Sequence, residues 1–513
     1  MSSAEGILTR WERPYFKKSE TFQPPPEEAS NEHFTAHDTS FLGTSGPIAA
    51  SYNREYNISH TYFHETLNSL GAETNKSHSS GNNLGPWTSI NSVNIHNGTR
   101  SYSVDYCKNH ESAQRNLHIL TKAYVQEIVL VRTPEDESWV ASGVRFKHDG
   151  KEYTVKTRRE VILSAGSVQS PQLLEKSGIG RPDVLAAAGI PLKVDSRNVG
   201  ENLQDHSGKS QLVCSCICVA SIKRGTALAI IYEVDPSVPY QDDQWHDPEV
   251  AEAARKLYQT NLSGPMTRTS TSYCYLPFSL TIPSQALQDI ATRMKNLEGL
   301  PSEQASILNR RLGPNSEETV GQIEYVLWLA ASSPTFQPEP PSSGKRYASL
   351  SMILQYPLTR GSIHTRPRSS SAGEDDRPII DLQYYSGPGG LIDLEVTAHC
   401  VRYGEKIAQT EPLSKILLKQ VSPDPETTSS DVDLQKWVQD NTGTCWHPIG
   451  TCAMGGKKGI EGGVVDERLR VYGVKGLRVV DASVFPLQIS AHLQATVYAV
   501  AEKAADMVKE DTA

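Results

Sequence analysis

The sequence lacks an apolar run of the roughly 18 residues that a membrane span needs, and its first 13 residues hold no apolar stretch typical of a secretory signal. There is no basic excess, because 50 lysine and arginine residues face 59 aspartate and glutamate residues, for a net charge of −9. Nucleic acid and anionic lipid are therefore poor partner candidates. Eight cysteines among 513 residues are too few for a disulfide scaffold. A large globular protein remains, which we expect to be an enzyme, cytoplasmic or secreted.

Two spacings resemble metal sites but predict none. Cys214, Cys216 and Cys218 alternate as on a β-strand, where their side chains would share one face, and no second cysteine pair completes a zinc site. His60 and His64 lie four residues apart, but the glutamate of H-E-x-x-H is missing. The sequence also has no G-x-S-x-G nucleophile elbow, no P-loop and no kinase motif set, so hydrolase and phosphotransferase functions have little support.

Strand patterns are spread along the chain. Residues 117–132 and 476–481 are rich in β-branched and aliphatic residues, which predicts strands, and residues 139–157 predict a hairpin. Residues 160–164 form a short apolar run typical of a buried parallel strand.

Helix patterns alternate with these strands. After residue 164 we expect a helix with Ser170 as its N-cap, Pro171 in its first position and Gly178 at its end. Apolar residues at helical spacing predict another helix over 493–509. The alternation is typical of a mixed α/β protein.

Two loops follow the ends of predicted strands, where ligands collect in doubly wound α/β folds. The first contains Ala165 and Gly166, whose small size permits close approach of a ligand or, alternatively, tight packing of strand on helix. The second runs from Asp481 and Ala482 to His492, near the start of the last helix. The partial positive charge of a helix N-terminus suits an anionic cofactor ring and keeps a histidine close to neutral. A helix-cap or packing role for His492 is the alternative.

A further histidine, His447, lies between Trp446 and Pro448 in a loop rich in glycine and threonine. Such a residue is poorly placed for a core and well placed for acid–base catalysis. An imidazole with an unperturbed pKa near 6.5 can accept a proton at physiological pH. We therefore expect His447 and His492 to act together.

The motifs around these residues resemble those of the glucose-methanol-choline (GMC) flavoprotein oxidoreductases, over most of the chain. The similar segments are REVILSAGSVQSPQLLEKSGIG at 159–180, NVGENLQDH at 198–206, WHPIGTCAMG at 446–455, the stretch 476–508, and 97–107 with 115–128 on the way to the adenine of the cofactor. The resemblance implies an FAD-dependent enzyme that oxidises a small-molecule alcohol.

Site roles follow from this resemblance. It implies that His447 is the base that takes the substrate hydroxyl proton and that His492 holds the hydroxyl and stabilises the alkoxide. The implied FAD contacts are Val125 at the adenine, Ala165 and Gly166 beside the nucleotide, Asp481 and Ala482 at the pyrophosphate and ribityl chain, Trp446 near the ring, and the amides after Ala491, including Leu493, at the pyrimidine edge.

The resemblance also implies two interleaved domains. Residues 1–45, 98–206 and 438–513 would form the FAD-binding domain on a doubly wound sheet. Residues 46–97 and 207–437 would form the substrate-binding domain on an antiparallel sheet.

One family element is missing from the sequence, because no G-x-G-x-x-G occurs in it. We therefore expect an N-terminally truncated cofactor domain that lacks its first βαβ unit. Three explanations stay open: an incompletely assigned gene, a natural truncation that has lost FAD, or a separate polypeptide that supplies the N-terminal half. The rival functions are accordingly a non-catalytic accessory protein, one half of a two-chain enzyme, and a lyase that binds FAD without redox turnover. The substrate and the oligomeric state stay open.

Overall fold

The computed structural model describes residues 13–25, 33–35, 37–108, 116–134, 137–207, 228–239, 248–267, 271–314, 320–333, 335–368 and 376–512. The three cysteines of the 214–218 run lie outside these residues. The chain forms two compact units, the first of Met1–Asn109, His206–Leu358 and Gly387–Trp446, the second of His110–Asp205, Thr359–Ser386 and His447–Ala513. The division into cofactor and substrate domains stays a prediction.

The strands follow one another along the chain in this order: β1 Glu20–Gln23, β2 Ile48–Ser51, β3 Gly85–Thr88, β4 Val93–Asn94, β5 Thr99–Arg100, β6 Tyr124–Arg132, β7 Trp139–His148, β8 Lys151–Lys156, β9 Val161–Leu163, β10 Ile179–Gly180, β11 Val194–Asp195, β12 Ala229–Val234, β13 Ser272–Leu276, β14 Ile323–Trp328, β15 Arg346–Leu354, β16 Ser362–His364, β17 Ile379–Asp381, β18 Leu417–Ser422, β19 Val474–Lys475 and β20 Leu477–Val479.

The α-helices are α1 Arg13–Ser19, α2 Ile58–Ser69, α3 Asp105–Lys108, α4 Gly166–Lys176, α5 Pro182–Ala188, α6 Pro248–Asn261, α7 Phe278–Thr281, α8 Ser284–Lys295, α9 Ser302–Leu312, α10 Gly387–Gln409, α11 Pro425–Ser429, α12 Asp431–Asn441 and α13 Gln494–Thr512.

The first unit is built on a six-stranded sheet in the order β18-β12-β15-β14-β13-β3. Each neighbouring pair in it is antiparallel, which confirms the expected antiparallel sheet. The long helix α10 packs against β15, and Tyr325 on β14 donates its hydroxyl hydrogen to the carbonyl of Cys400 in α10 at 2.8 Å. One face of the sheet is therefore covered by helix.

The second unit combines an antiparallel meander with a parallel pair. Strands β6, β7 and β8 pair in sequence, and β19 adds to β7 in parallel. Strand β9 pairs in parallel with β20, with Leu163 opposite Val479. Helix α4 packs on β6, and the Ser177 hydroxyl just beyond it accepts the Ile128 amide hydrogen at 2.8 Å. The apolar sides of these elements form one buried core.

The hairpin β7–β8, the strand β20 and the helix α13 confirm the predictions. The strand expected over 117–132 begins only at Tyr124, as β6, and β9 is a parallel strand as expected but is not buried, since Ile162 is 46% exposed. The predicted start of α4 is wrong. The helix begins at Gly166 and contains Pro171 in its interior. A proline there has no N–H for the carbonyl four residues back, which is that of Ser167. Thr451 supplies the missing donor, since its hydroxyl bonds to the Ser167 carbonyl at 2.7 Å. A tertiary contact therefore permits the longer helix.

His60 and His64 lie buried on α2. The two ring nitrogens of His60 bond to the Ser272 hydroxyl and to the His33 carbonyl. Among the described residues, no group of three or more His, Cys, Asp or Glu side chains could hold a metal ion. No helix in the described part of the chain is long and apolar enough to cross a membrane.

Candidate active site

The parallel strands β9 and β20 bring the two predicted cofactor loops together. Their carboxyl ends lie at the same edge, so the chain leaves them side by side at Ala165-Gly166 and at Asp481-Ala482. The Gly166 amide donates to Oδ2 of Asp481 at 2.9 Å. Of the predicted cofactor residues, the structure thus brings Ala165, Gly166, Asp481 and Ala482 into one place.

Asp481 holds this junction together with its carboxylate. Besides the Gly166 amide, Oδ2 accepts the Ser170 hydroxyl at 2.5 Å, and Oδ1 accepts the Ser483 amide at 2.9 Å. The side chain is only 8% exposed. Because protein donors occupy both oxygens, the carboxylate organises the loop, and the neighbouring backbone is the part that could face a cofactor.

Gly166 satisfies a conformational requirement and leaves room above the turn. Its φ of +77° lies in the left-handed region that favours glycine. A Cβ added at this position would meet no atom of the described chain within 4 Å. The turn therefore combines a positive φ with open space at a strand–helix junction, which is the setting in which phosphates bind in α/β folds.

The loop that carries His447 is tied to the start of α4 by two buried hydroxyls. Ser167 donates to the Pro448 carbonyl at 2.6 Å, and Thr451 donates to the Ser167 carbonyl at 2.7 Å. Ser167 is 4% exposed and Thr451 is fully buried. These bonds set the position of the loop on both sides of Ile449.

The backbone of His447 is held at both its amide and its carbonyl. Its N–H donates to Oδ1 of Asp205 at 3.0 Å, and its carbonyl accepts Nε2 of Gln488 at 3.0 Å. The Gln488 amide in turn donates to Oε1 of Gln204 at 3.1 Å. The backbone that carries the half-buried imidazole is therefore held in place.

The two predicted catalytic histidines are neighbours. The ring centroids of His447 and His492 lie 5.0 Å apart, and the ring planes are tilted by 49°. Both side chains are half-buried. His492 lies two residues before the first residue of α13, at the N-terminal end of a 19-residue helix, as the sequence predicted. Two imidazoles at this separation can contact one hydroxyl group between them.

The three remaining predicted cofactor residues differ from one another in burial. Val125 is half-buried near the start of β6 and packs against the core of the second unit. Leu493 is 7% exposed, with its side chain in that same core, so only its backbone could serve a ligand. Trp446 is 65% exposed and has a φ of +60°, an uncommon conformation for a tryptophan. The contacts of Val125, Trp446 and Leu493 with FAD stay predictions.

Sequence reasoning missed the residues that position His447. Asp205, Gln204, Gln488, Ser167 and Thr451 were assigned no role. A signal was present for two of them, because the NVGENLQDH motif contains Gln204 and Asp205. Their function depends on contacts with residues more than 240 positions away, which local patterns do not reveal.

The residues at these turns can be compared with what FAD binding requires. The open turn at Gly166 and the adjoining Asp481-Ala482 turn fit one side of a dinucleotide. The glycine-rich loop that normally surrounds the pyrophosphate has no counterpart in the sequence. The residues present therefore fit the cofactor over part of its length.

Comparison with known proteins agrees with this geometry. Two family models, each described as GMC oxidoreductase, match residues 5–208 and 357–501. Because the N-terminal model matches from residue 5, this comparison does not support the expectation that the N-terminal unit is missing.

Named relatives and solved structures extend the match. The chain is 32% identical over 521 residues to a dehydrogenase, mpl7, of Monascus purpureus, covering 97% of this chain and 77% of the relative. It is 29% identical over 510 residues to versicolorin B synthase of Aspergillus parasiticus, covering 97% and 69%. An FAD-dependent oxidoreductase from Chaetomium thermophilum shares its fold, with a TM-score of 0.80 at 24% identity, covering 98% and 80%. The chain belongs to the GMC oxidoreductase family.

Proposed function

We propose that the protein oxidises an alcohol group of a small organic substrate, with His447 and His492 as its catalytic residues and FAD as its cofactor. The observation that carries the proposal is the pairing of the two imidazoles at 5.0 Å beside the strand–helix junction of the second unit. A protein that only retained the fold would have no need of two adjacent, half-buried histidines on an anchored loop and at a helix start.

The proton chemistry follows from the placement of the two rings. His447 accepts the proton of the substrate hydroxyl, since a neutral imidazole is a suitable base near neutral pH. His492 donates a hydrogen bond to the same oxygen and stabilises the negative charge that develops there. FAD, when bound, supplies the acceptor for the hydride of the substrate carbon.

The anchored backbone contributes orientation. The His447 N–H donates to Asp205 and the His447 carbonyl accepts from Gln488. Because these bonds already order the loop, less conformational entropy is lost on reaching the transition state. Only the imidazole ring of His447 then has to adjust its orientation when a substrate binds.

We infer a place in specialised metabolism from the names of relatives. Versicolorin B synthase is named for the formation of one particular small molecule, and the Monascus relative is named a dehydrogenase. The first name also supports a second candidate, a rearrangement or ring closure at the same site without net oxidation. The two candidates differ in whether the substrate reduces the flavin.

His447→Ala tests the proposal. In protein supplied with FAD, we expect the substrate-driven, anaerobic loss of visible flavin absorbance to slow by on the order of a hundredfold to ten-thousandfold, because the base is lost. FAD affinity should stay unchanged, since the ring is not required to hold the cofactor. The assay is rapid-mixing absorbance with a panel of primary alcohols that includes benzyl alcohol.

His148→Ala is the matched control, because this histidine ends β7 at the turn of the β7–β8 hairpin, where its ring contacts the Lys122 carbonyl and Asp149. It should behave as wild type. Wild-type rates of flavin reduction in His447→Ala would refute the role of His447. Consumption of substrate by the wild type without loss of flavin absorbance would favour the reaction without net oxidation.

A further inference from the structure

A cavity of about 810 Å³ lies in the second unit, at the amino ends of the parallel strands β9 and β20. Most of its lining comes from the residues just before β9, from the 470–478 segment and from the end of α13. Its volume is within the range of roughly 300–1,000 Å³ that small-molecule sites occupy in proteins. The cavity is therefore large enough for a small organic molecule, and we call it the amino-end cavity.

The amino-end cavity is distinct from the predicted cofactor turns. Those turns follow the carboxyl ends of β9 and β20, where the Gly166 amide donates to Asp481. Arg159 and Glu160 precede β9 and line the cavity at the other end, as does Gly476 before β20. Each strand has three residues, so roughly 10 Å of strand separates the two places.

Arg478 lines the cavity, but protein acceptors already occupy its guanidinium. The residue is 3% exposed. Its Nε donates to Glu160 at 2.7 Å, one terminal nitrogen donates to the Arg468 carbonyl at 2.7 Å, and the other donates to Asp511 on α13. These bonds tie the start of β9, the strand β20 and the end of α13 together, so this wall of the cavity is held in place.

Arg470 lines the same cavity and is held at one nitrogen only. Its Nε donates to Oδ2 of Asp466 at 2.7 Å. The Asp466 carboxylate is itself fixed, because its Oδ1 accepts the backbone amides of Arg468 and Arg470 at 2.9 and 2.8 Å. The two terminal nitrogens of Arg470 have no acceptor among the described residues. Since paired N–H groups of a guanidinium bind phosphate or carboxylate oxygens, Asp466 orients Arg470 for an anion.

Arg159 supplies a second guanidinium for such an anion. Its side chain is exposed and has no acceptor in the described part of the chain. The carboxylates among the described lining residues are Glu160, Asp466 and Asp511, and each is paired with an arginine. Arg159 and the outer edge of Arg470 therefore remain as donors for a negatively charged ligand.

Uncharged residues make up much of the remaining lining. They are Ser138, Val471, Tyr472, Gly473, Val474, Gly476 and Leu477. Small-molecule sites combine such a lining with a few polar groups that fix the orientation of the ligand. The composition thus suits an anion that carries an organic group.

We propose that the amino-end cavity binds a small organic molecule with a doubly charged oxyanion, such as a phosphate monoester, through the guanidinium groups of Arg159 and Arg470. The two arginines come from segments on either side of β20, because Arg470 bridges to Arg478 and Arg159 precedes β9. Each guanidinium can form charge-assisted hydrogen bonds to phosphate oxygens. The site is independent of the proposed function, since it uses neither of the two catalytic histidines.

Isothermal titration calorimetry with the full 513-residue chain compares three ligands near neutral pH. Phenyl phosphate and phenyl sulfate have nearly the same shape, but the sulfate ester carries less negative charge. Inorganic phosphate has the charge without the organic group. We expect phenyl phosphate to bind more tightly than either of the others by roughly threefold to tenfold, and its affinity to fall as salt is added.

Two variants remove the guanidinium groups one at a time. Arg159→Gln and Arg470→Gln should each weaken phenyl phosphate binding on the order of tenfold, because a hydrogen bond between charged groups is lost. The melting temperature of Arg159→Gln should stay near that of the wild type, since this side chain has no acceptor among the described residues. Arg159→Gln therefore tests the site even if Arg470→Gln, which loses the bond to Asp466, is less stable.

Arg158→Gln is the matched control, because Arg158 is the exposed neighbour of Arg159, has the same charge and is not among the described lining residues. It should bind phenyl phosphate as the wild type does. No detectable binding of phenyl phosphate, equal affinities for the phosphate and sulfate esters, or wild-type affinity in both Arg159→Gln and Arg470→Gln would each overturn the site.

Added FAD separates this site from the cofactor turns, since FAD also contains phosphates. The affinity for phenyl phosphate should be the same with and without excess FAD, because the two places lie at opposite ends of β9 and β20. Displacement of phenyl phosphate by FAD would place the ligand at the cofactor turns and overturn the proposal. Equal binding of inorganic phosphate and phenyl phosphate would refute the organic group.

Discussion

Asp205 is the residue on which the orientation of His447 depends most directly. One carboxylate oxygen accepts the His447 amide hydrogen at 3.0 Å, and the other accepts the Tyr384 hydroxyl at 3.0 Å. The side chain is 3% exposed. A buried carboxylate with two such donors is a positioning group, since it acts on the reaction through the backbone of His447.

Asp205→Asn keeps the shape of this side chain and removes its charge. We expect a loss of about 2 kcal/mol in the free energy of unfolding, because hydrogen bonds to a charged acceptor are the stronger kind. The kcat should fall by roughly tenfold through misorientation of the base, with a smaller change in KM. Chemical denaturation and steady-state kinetics on FAD-supplied protein measure the two effects.

Tyr384→Phe is the companion variant, because it removes one donor to Asp205 and leaves the bond to His447 in place. Its kcat should stay within about twofold of wild type, since that bond still orients the base. If Asp205→Asn were less stable yet kept the wild-type kcat, Asp205 would have a structural role only.

At the scale of elements, a charged network joins α4, β16 and the 198–205 loop within the second unit. Nδ1 of His364 lies 2.7 Å from the fully buried carboxylate of Glu175, and Nε2 lies 3.3 Å from Glu201. Arg181 bonds to Glu201 from the other side at 2.6 Å. The same loop carries Asp205, so the network helps to hold the segment that positions His447.

Backbone contacts reinforce this connection. The Ile363 amide donates to the Gly200 carbonyl at 2.7 Å. Gly200 has a φ of +82°, and an added Cβ would lie 2.2 Å from the Ile363 carbonyl oxygen, so only glycine fits. The glycine in the NVGENLQDH motif therefore permits the close approach of the loop to β16.

The network predicts a pH dependence of stability. Burial lowers the pKa of His364, but its hydrogen bonds and charge interactions with Glu175 and Glu201 outweigh burial and raise that pKa to about 9. Since the folded pKa exceeds the unfolded value of 6.5, the stabilisation is complete below pH 6.5 and is lost as the pH rises through about 9. We expect a decline on the order of 2 kcal/mol across this window.

His364→Gln should remove that decline, because glutamine cannot lose a proton in this range. Urea denaturation from pH 6 to pH 10, wild type against variant, measures the difference. His148→Ala, at the end of β7, should retain the wild-type slope. Parallel pH profiles for wild type and His364→Gln would contradict the proposed role of His364.

At the scale of the whole molecule, the strength of FAD binding depends on how much of the cofactor the chain can contact. The junction of β9 and β20 would provide one side of the proposed FAD site, and the sequence contains no G-x-G-x-x-G for the pyrophosphate. We therefore expect FAD to bind reversibly. Added FAD should raise the melting temperature in proportion to the logarithm of its concentration, and a desalted sample should lose most of its visible flavin bands.

Absorbance spectra before and after desalting, with melting curves across an FAD series, make this measurement. Riboflavin is the control, since it lacks the pyrophosphate and the adenine nucleotide that we propose lie against the Asp481 and Gly166 turns. A cooperatively folded chain whose melting temperature ignores FAD would support a non-catalytic accessory protein. Flavin bands that survive desalting would show that the chain builds a complete site despite the missing motif.

The sequence alone predicted much of the second unit, because its signals are local. The parallel strands β9 and β20, the β7–β8 hairpin and helix α13 follow from short patterns of apolar and turn residues. The histidines stood out for the same reason, since His447 lies in an unusual loop and His492 lies beside a helix start. The resemblance then implied their pairing, which the structure reports as a distance of 5.0 Å between ring centroids.

Only the tertiary structure decided where α4 begins and what holds the loop of His447. Local rules favoured a helix start at Ser170-Pro171, but Thr451 bonds to the Ser167 carbonyl that Pro171 leaves without a donor. Likewise, Asp205 acquires its role from His447, which is 242 positions away. Hydrogen bonds between distant segments depend on how the strands pair, and a one-dimensional pattern does not contain that information. The sequence therefore determined the chemistry available to this protein, and the fold decided which of those groups meet.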